Sequence, residues 1–463
     1  MKIKNILFTA AIFFALYIVS TGLPGCAQIG TPTGGPRDSI PPVLVSANPK
    51  MFTTNFTGNR ITLTFDEYIN LVEPQTNVLV SPYPKISPQF DFKLKTVLVK
   101  IKDTLLPNTT YAIDFGDAIK DNNEGNPYKN FTYVFSTGKT IDSLNLSGKI
   151  ILAESGKIDS TILSLLYRTD DDSAVQKRRP DYIARLDGKG RFTFHNLSAG
   201  TYKVYALKDG DGRKTYDSKT ELFAFENSPV TVADSSNPVT LYAYAEEKDI
   251  RTAKAATTPA KAEKRLRYTT NLDNNTQDLL TSLQVTFPRP LKIFDSAKII
   301  LTDTNYNKVD SRINIDSTRR IISIKTNWKE DTKFRLVIDK DGLSDSADNK
   351  LPKSDTLRFA SKRESEYGNL VIRFTKLDTT LHPVLQFIRN EEVVRAVKIT
   401  VPQWSDKLFT TGDYELRILY DTNNNGVWDP GNYDKKLQPE KARTLDDRIS
   451  IKANWDNERN IEL

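Results

Sequence analysis

The chain has 463 residues, 38% of them hydrophobic and 27% charged, the balance of a protein that folds into several ordinary domains rather than around one core. A formal charge of +7, part of it from Lys2 and Lys4, is small and mixed with acids, so no nucleic-acid partner is expected. A single cysteine excludes an intrachain disulfide, and two histidines make a His-rich zinc site a poor expectation.

Residues 1–25 carry the two lysines and then an apolar run from Ile6 to Val19, a charged start followed by a core too short for a comfortable transmembrane span. The cysteine follows in Leu23-Pro24-Gly25-Cys26. This stretch resembles the lipobox of bacterial lipoproteins, with Pro24 unusual in it. The resemblance implies cleavage before Cys26, acylation of that residue, and a lipid membrane as partner. An ordinary signal peptide with an incidental cysteine is the alternative. Residues 26–39, rich in Gly, Pro and Thr, read as a flexible tether. No acidic run follows Cys26, which points to the periplasmic face of an outer membrane rather than the cell surface.

From 40 to 138 short period-two runs follow one another: Arg60–Phe65, Asn77–Val80, Thr96–Ile101, Thr110–Phe115 and Phe131–Phe135. Each sheet of an antiparallel sandwich buries one face and leaves the other to water, and that pattern fits. Asp38-Ser-Ile-Pro-Pro-Val43, the run from Ile61 to Ile69, Leu106-Pro-Asn-Thr-Thr-Tyr111, Ile119–Asn126 and Phe135-Ser-Thr-Gly138 resemble the bacterial Ig-like domain of S-layer-protein type. That resemblance implies a spacer, scaffold or adhesion module without common catalytic residues. Asp66 and Glu67 are adjacent on a strand, so their side chains point to opposite faces and cannot flank one bond. Asp121, Asn122, Asn123, Glu124 and Asn126 fit a cation loop or an Asx-rich turn equally.

Residues 141–245 open with a strand at Asn145–Ile151 and carry a strand–turn–strand unit from Gly190 to Leu207. This unit resembles the transthyretin-like or carboxypeptidase-regulatory sandwich. His195, beside Asn196 in a turn, reads as a loop or capping histidine rather than a ligand. Residues 246–268, rich in Ala, Lys, Glu and Thr, read as a linker.

The organising signal is a gapless internal match between residues 199–217 and residues 411–429. It sets Gly200 on Gly412, Tyr202 on Tyr414, Leu207 on Leu419, Asp209 on Asp421 and Asp217 on Asp429. A weaker echo of 40–138 runs through 269–361, where Ser282–Phe287, Lys333–Val337 and Asp341–Asn349 repeat earlier pieces at an offset near 222–224. Residues 367–463 then form the counterpart of 141–245. The expected fold class is all-β: tandem small β-sandwiches, Ig-like and transthyretin-like, with the two-module unit duplicated.

One stretch has site-like spacing. Asp421, Asn423, Asn425 and Asp429 occupy positions 1, 3, 5 and 9 of a loop, with Gly426 at position 6 and the Val427 carbonyl at position 7. That resembles the opening of an EF-hand-type loop and makes Ca2+ the one candidate cofactor, none being required. Asn432 at position 12 replaces the bidentate Glu, so any site is weak. The other reading is an Asx-rich turn with Trp428 packed on the sandwich. In the earlier copy (Asp209, Asp211, Asp217), Arg213 stands where a cation would sit. The ending Asn425–Asp429, Gly431, Gln438-Pro-Glu440 and Asn454-Trp-Asp456 resembles that of Bacteroidota lipoproteins. Asp-Ser/Thr-apolar triplets such as Asp38-Ser-Ile and Asp103-Thr-Leu resemble the O-glycosylation sequon of that phylum.

No Gly-rich phosphate loop, G-x-S-x-G elbow or H-E-x-x-H is present. The expected function is non-enzymatic: a lipid-anchored cell-envelope scaffold or adhesion module with envelope proteins as partners and no catalytic residues. A carbohydrate- or peptide-binding accessory lipoprotein, marked by exposed aromatics on one sandwich face, is the alternative. A carboxylate-based hydrolase is the third reading.

Overall fold

The computed structural model describes Ile12 and residues 38–234, 236–247 and 265–463. Apart from Ile12, the expected leader lies outside the described residues, as do Cys26 and residues 248–264 of the expected linker. What is described is all-β; its helices are single turns. No helix among the described residues is long and apolar enough to cross a membrane. The chain forms two compact units, one ending at Ile141 and the other running from Asp142 to Leu463 with Ser81–Tyr83 counted to it.

In the first unit alternation does the work. Ile61, Leu63 and Phe65 of the strand Arg60–Phe65 point inward, and Val97 and Val99 of Thr96–Lys100 face them from the paired strand. One sheet runs Leu44–Asn48, Arg60–Phe65, Thr96–Lys100, Gln89–Lys93; another runs Leu79–Ser81, Thr110–Gly116, Phe131–Ser136. Ile69–Leu71 pairs with Ile119–Asp121 at the side. Aromatic rings fill the space between, with Tyr111 stacked on Phe135 at 5.3 Å. The strand expected at Asn77–Val80 is shorter: a helical turn, Pro74–Asn77, takes its start, with Pro74 supplying the fixed φ of a first helical position.

Among the described residues the second unit has three sandwiches, each with its own buried cluster. Its first sandwich pairs a three-stranded sheet (Arg191–Leu197, Leu144–Leu152, Val239–Ala243) with a sheet ordered Tyr182–Arg185, Leu163–Tyr167, Gly200–Leu207, Phe223–Phe225, to which Val230–Val232 adds. The last sandwich repeats this strand for strand. Gln403–Thr410, Tyr367–Thr375 and Asp456–Glu462 form the smaller sheet, and Glu392–Lys398, Pro383–Arg389, Gly412–Tyr420 and Lys441–Thr444, with Ile449–Ile451, form the larger. Even the unusual parallel pairing recurs, between Leu144–Leu152 and Val239–Ala243 and again between Tyr367–Thr375 and Asp456–Glu462. The middle sandwich repeats the first unit's plan: Thr269–Thr270, Leu283–Thr286, Ile321–Lys325 and Arg312–Ile315 form one sheet and Ile299–Thr302, Lys333–Ile338 and Asp355–Ser361 the core of another. Erosion of the sequence signature there left the topology intact.

Both ends of the expected linker belong to folded structure. Leu266 is buried in the third core and its amide donates to Lys350 O at 3.0 Å, while Tyr268 Oη donates to Asp355 at 2.6 Å. Glu246, at the other end, is bound into an interface described next. A lysine- and alanine-rich composition conceals such single anchoring residues.

Candidate functional site at the interface of the second and fourth sandwiches

Strand Gly412–Tyr420 ends in the loop singled out by its acidic spacing, and that loop is closed by its own hydrogen bonds. Asp421 is fully buried; its carboxylate accepts from the amides of Asn425 at 3.1 Å and Gly426 at 2.6 Å. Asn423 and Asn425 both direct Nδ2 at Asp429 Oδ2, at 2.6 and 2.7 Å. The side chain of Val427 is exposed. A residue placed only in the terminal signature fastens the loop. The buried Glu440 carboxylate accepts from the Thr422 amide at 2.7 Å, the Thr422 hydroxyl at 2.8 Å and the Asp429 amide at 3.1 Å. Its carbonyl takes the Trp428 indole N–H at 2.7 Å. In the earlier copy Arg213 lies between Asp211 and Asp217, 2.8 Å from the latter, and Lys214 pairs with Asp209.

The other acidic candidates are also structural in their contacts. Asp121, 3% exposed, accepts four backbone amides, from Asn123, Glu124, Gly125 and Asn126. Burial opposes its ionisation, but these amides outweigh it and hold the carboxyl below its usual value. Asp345 makes the equivalent turn in the third sandwich, with the amides of Ala347 and Asn349. Asp66 accepts from the Val43 amide at 2.8 Å, tying the entering chain to the sheet. Burial and the neighbouring Asp121 raise the pKa of Glu67. His195 Nδ1 meets Asn145 at 3.0 Å, and His382 Nδ1 meets the Asp421 carbonyl at 3.2 Å. Among the described residues no group of three or more His, Cys, Asp and Glu is arranged to hold a metal.

Beyond the loop the chain forms a small finger, bridged at Asn432 and Leu437, that reaches the second sandwich. Its tip, Tyr433, is 3% exposed and sits among Tyr205, Tyr216, Phe223 and Phe225. The two phenylalanine rings lie edge-on at 5.1 Å, the geometry that aromatic quadrupoles favour. Tyr433 Oη donates to the Asp172 carbonyl at 2.5 Å and lies 3.2 Å from Tyr205 Oη, while burial drives its pKa far up. Glu246 accepts from the Tyr433 amide at 3.0 Å, the Tyr216 hydroxyl at 3.1 Å and Asn432 Nδ2 at 3.1 Å. Gly431 lets the finger pass: a Cβ there would stand 2.6 Å from the Tyr244 ring. Sequence reasoning missed Tyr433; its one available signal was an aromatic residue inside an otherwise polar loop.

The same two sandwiches meet a second time. The turn after Leu144–Leu152 lies along Lys441–Thr444, with the Ala442 amide donating to Ala153 O at 2.8 Å and the Thr444 hydroxyl to Ser155 O. Beside this contact is a cleft of about 650 Å³ whose lining includes Glu154, Lys157, Arg389, Glu415, Arg417 and Arg448. The fourth sandwich is also joined to the third, where Tyr367 Oη accepts from the Leu279 amide at 2.7 Å. In the first unit, a broad groove of about 880 Å³ on the outer sheet face is lined by the exposed Tyr68, Phe92 and Leu94. Lys95 Nζ lies 5.7 Å from the Tyr68 ring centre.

Comparison with known proteins bears on this architecture. Residues 38–137 match the model of the bacterial Ig-like domain family. No curated protein matches the chain. Among solved structures, the chain is similar to BcpA, the major pilin subunit of Bacillus cereus, at 12% identity over 69% of this chain and 99% of that one, with a TM-score of 0.18. The N-terminal part of the bacterial S-layer protein SbsC is 17% identical over 45% of each chain, with a TM-score of 0.17. The BSP domain of a biofilm associated protein is 10% identical over 91% of this chain and 99% of that one, with a TM-score of 0.16. The chain is an all-β protein of tandem small sandwiches that opens with a bacterial Ig-like domain.

Proposed function

We propose that this protein is a non-enzymatic scaffold of the cell envelope, held to a membrane by lipid on Cys26 and engaging envelope proteins through its sandwiches. The observation that carries this reading is the Tyr433 finger. It converts two sandwiches far apart in sequence into one body, and a part that must hold a geometry is served by such a joint. The bacterial Ig-like domain at residues 38–137 supports the same reading. The sandwich boundaries proposed are 40–138, 141–245, 269–361 and 367–463, with outer-membrane attachment on the periplasmic face. Cross-linking in intact cells and affinity purification from detergent-solubilised envelopes should recover the same envelope proteins repeatedly. Recovery of nothing reproducible would sink the scaffold reading.

A second reading has its own observation. Tyr68 and Phe92 are 53% and 47% exposed on one groove of the first unit, the sign expected of a carbohydrate- or peptide-binding face. Replacing both by Ala and comparing binding to arrayed glycans and peptides tests it; an unchanged profile removes the idea.

A further inference from the structure

The duplicated strands Gly200–Leu207 and Gly412–Tyr420 present equivalent faces away from their cores, and the molecule treats the two differently. In the earlier copy this face carries Lys203 and Tyr205, and a protein side chain from outside, Tyr433, closes over it. In the later copy Glu415 and Arg417 occupy the matching positions. Here the second sandwich's turn at 153–157 covers only one margin, and the cleft of about 650 Å³ remains, within the size range of small-ligand sites.

Polar accounting locates the centre of that cleft. Among the described residues five buried side-chain atoms have no hydrogen-bond partner, and two of them are neighbours here: Arg417 Nε and Glu415 Oε1. Arg417 is 7% exposed, and the acidic oxygen nearest its Nη2 is Glu415 Oε1 at 3.9 Å, beyond hydrogen-bond reach. Lys157 occupies the other Glu415 oxygen at 2.9 Å. Arg389, also in the lining, is committed to the Thr411 carbonyl and the Tyr414 hydroxyl, both at 2.7 Å. A guanidinium whose Nε edge has no partner matches a carboxylate side-on, through two parallel N–H···O bonds. A buried acceptor beside it asks for a donor next to that carboxylate. Burial lowers the pKa of Arg417 even though the carboxylates of Glu415 and Glu154 act to raise it, and a further anion in the cleft would act in the same sense as they do.

We propose that this cleft binds the α-carboxylate end of a short peptide, the carboxylate on Arg417 and the neighbouring N–H on Glu415 Oε1. A free amino acid presents the same pair of groups, so the two sources are separated by experiment. Titrations of the purified protein with tri-alanine, its C-terminal amide and free alanine, followed by NMR or calorimetry, provide the test. Tri-alanine should saturate with a Kd of about 1 mM or tighter, and the amide should bind at least about tenfold more weakly. Free alanine binding as well as tri-alanine would assign the site to amino acids within the same chemistry. Arg417→Gln should abolish the response and Glu415→Gln should weaken it about tenfold. Arg417→Lys, with charge but no fork, should recover it only in part. Where Arg417→Gln fails to fold, Glu415→Gln and Arg417→Lys decide. No saturable response to any probe would overturn the proposal and leave ordered water as the partner of both atoms. So would a folded Arg417→Gln that binds like the parent.

Discussion

Asp121 shows how one carboxylate holds a turn in place of a cation. Its two oxygens meet four amides, so in Asp121→Asn the side-chain NH2 would face an N–H, at a cost of about 1–3 kcal/mol. Because its folded pKa lies below the ordinary 3.8, its contribution is complete above that value and is lost as pH falls through the folded pKa. Acid titration of the first unit should therefore be shallower in Asp121→Asn, read by circular dichroism. An unchanged acid slope would show that other carboxylates dominate. Glu440 plays the same part for the last loop, and Glu440→Ala should lower stability by about 1–3 kcal/mol through the amides of Thr422 and Asp429. The two readings of that loop give opposite results with calcium. An Asx turn keeps its thermal midpoint in EDTA and in millimolar Ca2+, whereas a weak site raises it. At this scale the sequence was legible for turns and opaque for partners. The spacing of Asp421, Asn423 and Asn425 marked a tight bend, but only burial reveals that Glu440 completes it.

Elements were easier to read than their meetings. Alternation such as Ile61, Leu63, Phe65 announces a strand and its inner face, because a period of two admits no other regular structure. The gapless match of 199–217 with 411–429 foretold the repeated sandwich, and the strand orders repeat with it. Strand Gln403–Thr410 was not read, since its apolar residues, Trp404, Leu408 and Phe409, do not alternate and Asp406 breaks the run between them. Nor was the finger, because docking by one side chain has no period. Tyr433→Ala should cost the joint about 3–5 kcal/mol, the usual range for truncating a buried aromatic. Hydrogen exchange should then rise in Phe223–Phe225 while the strands of the first unit stay protected. Equal protection throughout would mean that the ring adds little to the joint. Gly431→Val should act similarly, by collision with Tyr244 rather than by loss of contact.

For the whole molecule, the reading of a lipid tether is tested by fractionation. The parent should sediment with membranes and Cys26→Ala should move to the aqueous fraction, since on this reading the acyl chains on Cys26 are what holds the protein. A variant that stays with the membrane would place the anchor elsewhere. The Asp-Ser/Thr triplets leave several hydroxyls in solvent, those of Ser39, Thr104 and Ser346 among them, where intact-mass measurement would reveal added sugar.

Tyr433 reaches a hydroxyl 228 residues earlier in the chain. During synthesis, then, the second sandwich emerges with a ring-lined socket that Tyr433 cannot fill until the 228 residues separating it from Tyr205 have been made. A nascent or prematurely ended chain presents Phe223, Phe225 and Tyr205 bare, a sticky surface of the kind chaperones hold and proteases remove. The finger thus acts as a late cover: rings that are bare while the second sandwich stands alone are hidden once Tyr433 has been made and has docked.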